Sequence, residues 1–181
     1  FRLTDKEIYT GMSVFDHNLV IDRAIALHKV IRLVTITTSG GGYLNFMGNE
    51  WGHPEWIYFP RMGNCDSYAH ARRQWSLVDD PNLKFKYLNA FDKAMIHFVK
   101  ESSLLEETPQ VQVQDIEKQI LVFSRGGYLF VFSFNPTKAF VDYTFPIYAG
   151  KYTYVLNTDN PAFGGQGLIN EQTEHFTQYI N

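Results

Sequence analysis

One cysteine, Cys65, stands among 181 residues, so neither a disulfide framework nor a thiolate metal cluster can be built, and a reduced compartment is the simpler reading. Excess charge is also missing. The formal net charge is −3, which gives no support to nucleic-acid binding, since that needs a clustered basic surface. Charged residues are only 19% of the chain and hydrophobic ones 45%, a balance that excludes disorder. No apolar run reaches the ~20 residues of a membrane span; the longest, residues 128–134, is short and strand-like. Neither a methionine nor a signal-type n-region opens the sequence at Phe1, and the expectation is that it begins inside a larger protein. Length is short in one further respect. A complete eight-stranded α/β barrel takes ~250 residues.

Aromatic residues, in contrast, make up 16% of the chain. Such an excess suits either a sugar-binding surface or a Phe-packed β core, and composition does not choose between them. Along residues 18–38 the apolar positions Val20, Ala24, Leu27, Ile31 and Val34 recur at steps of four and three, which predicts a helix. Asn18 is its natural N-cap and Gly40-Gly41-Gly42 its terminator. The apolar run 43–47 between glycines reads as a buried strand. A long loop, 48–66, carries Trp51, Trp56, Tyr58 and Phe59, too many aromatics for disorder, and reads as an ordered functional loop. Asp80-Pro81 is an N-cap followed by Pro at the first helical position, and Leu83, Tyr87, Phe91, Ala94 and Phe98 mark a second helix. After about Glu107 the period changes to two. Strands are expected at 119–124 and 128–134, joined by the hairpin signal Gly126-Gly127, and again at 141–145 and 152–156. An α/β part over 1–106 and an antiparallel β domain over 107–181 follow from that change.

The chemistry-bearing residues concentrate in residues 48–56, where two carboxylates and an imidazole fall within six positions. A metal set would use Glu50, His53 and Glu55, but the spacing fits no helical His-Glu-x-x-His arrangement, and Gly52 and Pro54 forbid the helix; no metal is expected. His53 is better read as a loop-holding residue bonded to backbone or to Arg61. Trp51, Trp56, Tyr58 and Phe59 offer faces that stack on pyranose C–H surfaces, and equally faces that pack the loop down. Cys65 has His70 five residues on but no thiolate-stabilising setting, and no nucleophile elbow surrounds Ser67. One of Arg72 and Arg73 is expected to form a buried ion pair with Asp79 or Asp80. The glycines at 40–42 precede a strand rather than a helix, so they form no phosphate loop.

Residues 42–56, Gly-Tyr-Leu-Asn-Phe-Met-Gly-Asn-Glu-Trp-Gly-His-Pro-Glu-Trp, resemble the end of the catalytic barrel in 1,4-α-glucan (glycogen or starch) branching enzymes of glycoside hydrolase family 13. Phe59-Pro60-Arg61, residues 71–75 and Asp79-Asp80 continue the likeness, as do residues 8–13 and 21–29 upstream. Residues 132–136 and 154–156 resemble the family's C-terminal β-sandwich. The resemblance implies the C-terminal part of a (β/α)8 TIM barrel over 1–106 followed by an antiparallel β-sandwich over 107–181, truncated at its end. It implies α-glucan (glycogen, amylose or amylopectin) and the rest of the parent barrel as partners, no nucleic acid or membrane, no cofactor, and a cytoplasmic or, in a plant, plastid location. The activity implied is retaining transglycosylation by two Asp and one Glu. Those carboxylates are expected upstream of Phe1, so no catalytic residue is assigned here. The substrate-cleft candidates are Asn49, Glu50, Trp51, His53, Trp56, Tyr58 and Arg61. Tyr58 stands where the family has Asp, Cys65 where it has Asn, and 66–70 is atypical, so glucan contacts along that edge are not carried over. An α-amylase-type hydrolase and a non-catalytic glucan-binding module are the competing readings.

Overall fold

A computed structural model describes residues 4–178. The chain divides into two compact units that are discontinuous in sequence. The first contains the described residues up to Lys29, then Leu44–Ala94 and Thr158–Gly167; the second contains Val30–Tyr43, Met95–Asn157 and the described residues from Leu168 onward.

Helix α1 spans Leu19–Thr38 and starts where the sequence places it. Asn18 Oδ1 accepts from the Val20 and Ile21 amides at 3.0 and 3.2 Å, which satisfies two of the donors that a helix start leaves open. Its buried face differs from the expected stripe. Val20, Leu27 and Ile31 are exposed, and the covered positions are Ile21, Ala24, Ile25 and Lys29, then Arg32, Leu33, Ile36 and Thr37. The true stripe includes two basic side chains, so apolar periodicity alone settles one residue away from it.

The predicted strand at 43–47 is absent. The segment is irregular, Leu44 is 97% exposed, and no β-strand among the described residues runs beside it; a strand without a neighbouring strand has no ladder for its backbone groups. No parallel strand pair occurs among the described residues, so barrel strands are not seen in this chain. A one-turn helix α2 (Ser76–Asp79) precedes α3 (Phe85–Glu101). Helix α3 starts later than Pro81 because residues 80–84 are engaged elsewhere. Asp80 Oδ1 accepts from the Asn82 amide, Val14 N donates to Asn82 O at 2.8 Å, Lys84 N donates to Met12 O at 2.8 Å, and Ser13 bridges Leu83. The first unit packs around Ile8, Met12, Ile21, Ile25, Trp51, Phe85 and Leu88. Among its described residues the ion pair is between buried Lys84 and exposed Asp22 at 2.8 Å, and the Arg–Asp pair expected at 72–80 is not seen.

In the second unit, β1 (Gln110–Asp115), β2 (Ile120–Arg125) and β3 (Tyr128–Ser133) form an antiparallel meander in that order. Both residues of the Gly126-Gly127 turn have positive φ, +56° and +79°, as a tight two-residue hairpin requires. The register places Phe123 opposite Phe130, and the rings of Phe123, Phe130, Phe132 and Phe134 stack at 4.9–5.9 Å. Phe98 meets Tyr128 and Phe130 edge-on. The aromatic excess is therefore partly a β core. Arg125, on the same face, is buried and donates to the carbonyls of Thr37 (2.7 Å), Glu107 (2.8 Å) and Leu105 (3.4 Å). The strands expected at 141–145 and 152–156 do not form. Tyr143 anchors its segment through a side chain, its hydroxyl donating to Asp115 at 3.0 Å, and among the described residues after β3 the paired strands are β4 (Lys151–Tyr152) and β5 (His175–Phe176).

Candidate functional site

Residues 46–56 turn tightly on their own backbone. Asn49 N donates to Phe46 O at 3.0 Å, and the amides of Trp51 and His53 both donate to Gly48 O at 3.3 and 2.9 Å. Gly48 is required twice over: its φ is +86°, and a Cβ there would lie 2.7 Å from both Arg73 Nε and His53 Cβ. On one side the loop is held by α1, where His28 Nε2 lies 2.9 Å from Asn49 O.

The candidates separate by burial. Trp51 is 0% exposed, with its ring against His53 (5.0 Å), Trp75 (5.6 Å) and Phe85 (5.8 Å), so it packs the loop down and presents no face to a ligand. Trp56 is 76% exposed, and Tyr58, Phe59 and Arg61 are exposed beside it in sequence. Arg61 lies over the Tyr58 ring at 4.6 Å, covering one of its faces, and donates to the Tyr58 hydroxyl, so the two form one cationic-aromatic pair. Asn49 is exposed, and Glu50 is half-buried and accepts from Asn45 Nδ2 at 3.0 Å.

His53 holds the loop, but through partners other than Arg61. Nδ1 lies 3.0 Å from Glu55 O and 3.2 Å from Arg73 Nη1, and Gln74 N donates to Nε2 at 3.4 Å. Burial first, then the Arg73 cation, hold the imidazole below its ordinary 6.5, although the Glu55 carbonyl and the Glu55 and Glu50 carboxylates pull the other way. The tautomer decides which contacts are hydrogen bonds: with the proton on Nδ1 the ring donates to Glu55 O and accepts from Gln74 N, and with the proton on Nε2 it accepts at Nδ1 from Arg73 Nη1 and Glu55 N. Arg73 also lies 5.8 Å over the Phe46 ring. Sequence reading missed Arg73 and His28 as loop anchors, since neither spacing nor charge singles them out.

Lys29 is the other residue it missed. This side chain is 1% exposed, and Nζ donates to the carbonyls of Thr158 (2.6 Å) and Phe163 (2.8 Å). Burial pushes it down to about 8, against a partial upward pull from Asp159. No group of three or more His, Cys, Asp or Glu side chains among the described residues could hold a metal ion. An open hollow of about 470 Å³, lined by Ile36, Tyr43, Ile96, Val99 and Leu105 among others, belongs to the second unit and includes none of the loop candidates.

Taken together, the loop offers exposed aromatic faces, a guanidinium, an amide and a carboxylate. That is a set of groups able to bind a polyhydroxylated ligand, without an assembled acid–nucleophile pair. Comparison with known proteins adds the rest. Residues 111–181 match the family described as the alpha amylase C-terminal all-beta domain. Over 98% of its length the chain is 48% identical to the 1,4-alpha-glucan-branching enzyme of Rhizophagus irregularis and 50% identical to that of Candida glabrata, covering 26% of each. It is 48% identical, again over 98%, to the chloroplastic/amyloplastic enzyme of Oryza sativa subsp. japonica, of which it covers 22%. The chain is a homologue of the 1,4-alpha-glucan-branching enzymes. It corresponds to a C-terminal part of them and spans about a quarter of the length of these curated relatives. The all-beta match begins one residue into β1. It also includes Thr158–Gly167, which folds with the first unit. No helix among the described residues is long and apolar enough to cross a membrane.

Proposed function

We propose that this chain is part of a 1,4-α-glucan branching enzyme, a retaining glycosyltransferase that cleaves an α-1,4 linkage and passes the glucan segment to a 6-hydroxyl. The observation that carries the reading is the identity of 46–50% to proteins of that name over nearly all of the chain. In this reading residues 1–106 are the C-terminal part of a (β/α)8 barrel and 107–181, next in sequence, are the β-sandwich domain. The exposed apolar positions Val20, Leu27, Ile31, Leu44 and Phe46 support that, as surfaces that further barrel elements would cover. The parent enzyme works without a metal or organic cofactor and acts in the cytoplasm, or in the plastid of a plant.

Chemistry in this reading comes from carboxylates outside the chain. The nucleophile takes the anomeric carbon as the acid protonates the departing 4-oxygen. The glycosyl-enzyme is then opened by a 6-hydroxyl that yields its proton to the same Glu, now the base. The chain's own contribution is positioning. Asn49, Glu50, Trp56, Tyr58 and Arg61 would edge the substrate cleft, while Trp51 and His53 would keep that edge in place.

The intact protein should lower iodine staining of amylose while releasing little reducing sugar. Free oligosaccharide release would support the amylase alternative, and retention on glucan affinity gels without product would support a binding module. The isolated chain should neither branch nor hydrolyse amylose, and a measurable gain of α-1,6 linkages would overturn that expectation.

A further inference from the structure

Two loops seat on the same pair of helices at the same level, although about a hundred residues of sequence separate them. The candidate loop contacts α1 through His28 and Asn49 O, and at Gly52 it runs so close to α3 that a Cβ would lie 2.9 Å from Leu88. The Thr158–Gly167 turn contacts α1 at the very next residue, Lys29, and contacts α3 on either side of Leu88. Gly164, at φ +68°, would place a Cβ 2.8 Å from Tyr87, and the Phe163 ring meets Phe91 edge-on at 5.4 Å. Hydrogen bonds of its own brace part of the turn. Asn160 Oδ1 accepts from Ala162 N at 2.8 Å, Asp159 O accepts from Gly167 N at 2.9 Å, and Asp159 Oδ1 from Gln166 N at 2.8 Å.

We propose that the Thr158–Gly167 turn, although carried by the stretch that matches the all-beta domain, is a positioning element for the candidate cleft loop, with Lys29 as its latch. The inference rests on the branching-enzyme reading only for what the loop does; that the turn steadies the loop stands on the contacts alone. The physical route is short. Nζ of Lys29 fixes two carbonyls of the turn, the turn wedges against Tyr87 and Phe91, and the wedge sets the spacing of α1 and α3 at His28 and Leu88. Loss of the latch lets that spacing relax, and the tight amides at Gly48 O are the first to report it.

The test uses the intact protein that contains this sequence. Hydrogen exchange is followed at the amides of residues 46–54 and 158–167, and KM and kcat are measured on amylose. In Lys29→Met, both segments should exchange at least ten-fold faster, and KM should rise at least five-fold with a smaller change in kcat. Arg125→Met is the control, since it removes a buried cation with comparable bonds in the second unit; its 46–54 amides and KM should stay at wild-type values. Gly164→Ala, a milder lesion of the same wedge, covers the case in which Lys29→Met does not fold, and should show the same pattern at smaller amplitude. Fast exchange at 158–167 with unchanged 46–54, or an equal rise of KM in the control, would overturn the inference. Absence of branching by the wild type would instead strike the functional reading, and the exchange data would still decide the latch.

Discussion

Lys29 permits a quantitative experiment because its titration falls in an accessible window. A lysine that holds its proton up to 10.5 in the unfolded chain but releases it near 8 in the folded one binds fewer protons when folded, between those two values. Stability therefore rises with pH through that window; below it both states are protonated and the full desolvation penalty is present. Integrating from pH 7 to 9.5 gives a gain of about 2 kcal/mol, most of it above pH 8. The neutral amine still has two hydrogens, enough for Thr158 O and Phe163 O, so the gain is not offset by orphaned carbonyls.

The assay is urea unfolding of the 181-residue chain at half-unit pH steps, with Lys29→Met alongside. The wild-type midpoint should climb across the window at constant slope, and the variant should stay flat. Stopping at 9.5 keeps Tyr9 and Tyr143 out of the signal, because burial raises both above the ordinary 10. A wild type that is flat from pH 7 to 9.5, or a variant that climbs in parallel with it, would refute the reasoning. The first result would mean that Lys29 keeps its charge unperturbed, the second that another group is responsible.

Trp51 and Trp56, five positions apart, should behave oppositely: Trp51→Ala should cost about 3–5 kcal/mol in unfolding experiments, whereas Trp56→Ala should stay within about 0.5 kcal/mol and weaken retention of the intact protein on glucan gels. Arg125→Met removes the donors for the Thr37, Glu107 and Leu105 carbonyls and should cost about 3 kcal/mol, measured by the same urea titration. Because His53 sits below its ordinary 6.5 in the fold, the unfolded chain takes up the proton first, so stability should fall as pH drops through 6.5; His53→Gln should flatten that acid limb in thermal melts from pH 7 to 5.

The sequence was most readable where local chemistry decides the structure. Asn18 caps α1 because a side-chain acceptor is needed there whatever lies around it, and Gly126-Gly127 turns the hairpin because only glycine takes two positive φ values without strain. The family likeness in residues 42–61 was equally direct, and relatives with nearly full coverage of the chain bear it out. Reading failed where a partner distant in sequence decides. Residues 43–47 have a strand's composition but no strand beside them among the described residues, and Asp80 spends its cap on Asn82 because residues 82–84 are already paired with 12–14. Of the loop, its existence and its aromatic content were legible. Which tryptophan faces inward was not, since that depends on Phe85 and Trp75 arriving from elsewhere in the chain.

The same limit explains why three buried basic residues escape a reading of the sequence. Lys29, Lys84 and Arg125 are all buried, each binds backbone carbonyls, and each joins segments between about 20 and 130 residues apart. A carbonyl left over from an irregular turn or a helix end costs about 1–3 kcal/mol when buried unpaired, and a long cationic side chain reaches it without requiring a matching residue type. Arg125 meets the last turn of α1 at Thr37 O, where the helix dipole also favours a cation. Lys29 meets two carbonyls of a turn that is only partly closed by its own hydrogen bonds. The recipients of Lys29 and Arg125 are backbone groups, so charge pairing in the sequence does not advertise those contacts; Lys84 adds the Asp22 carboxylate to its backbone partner, 62 residues away. A hydrophobicity pattern treats such residues as interruptions of a helix face or strand. In the fold they are what ties a chain that crosses repeatedly between its two units into fixed register within each one.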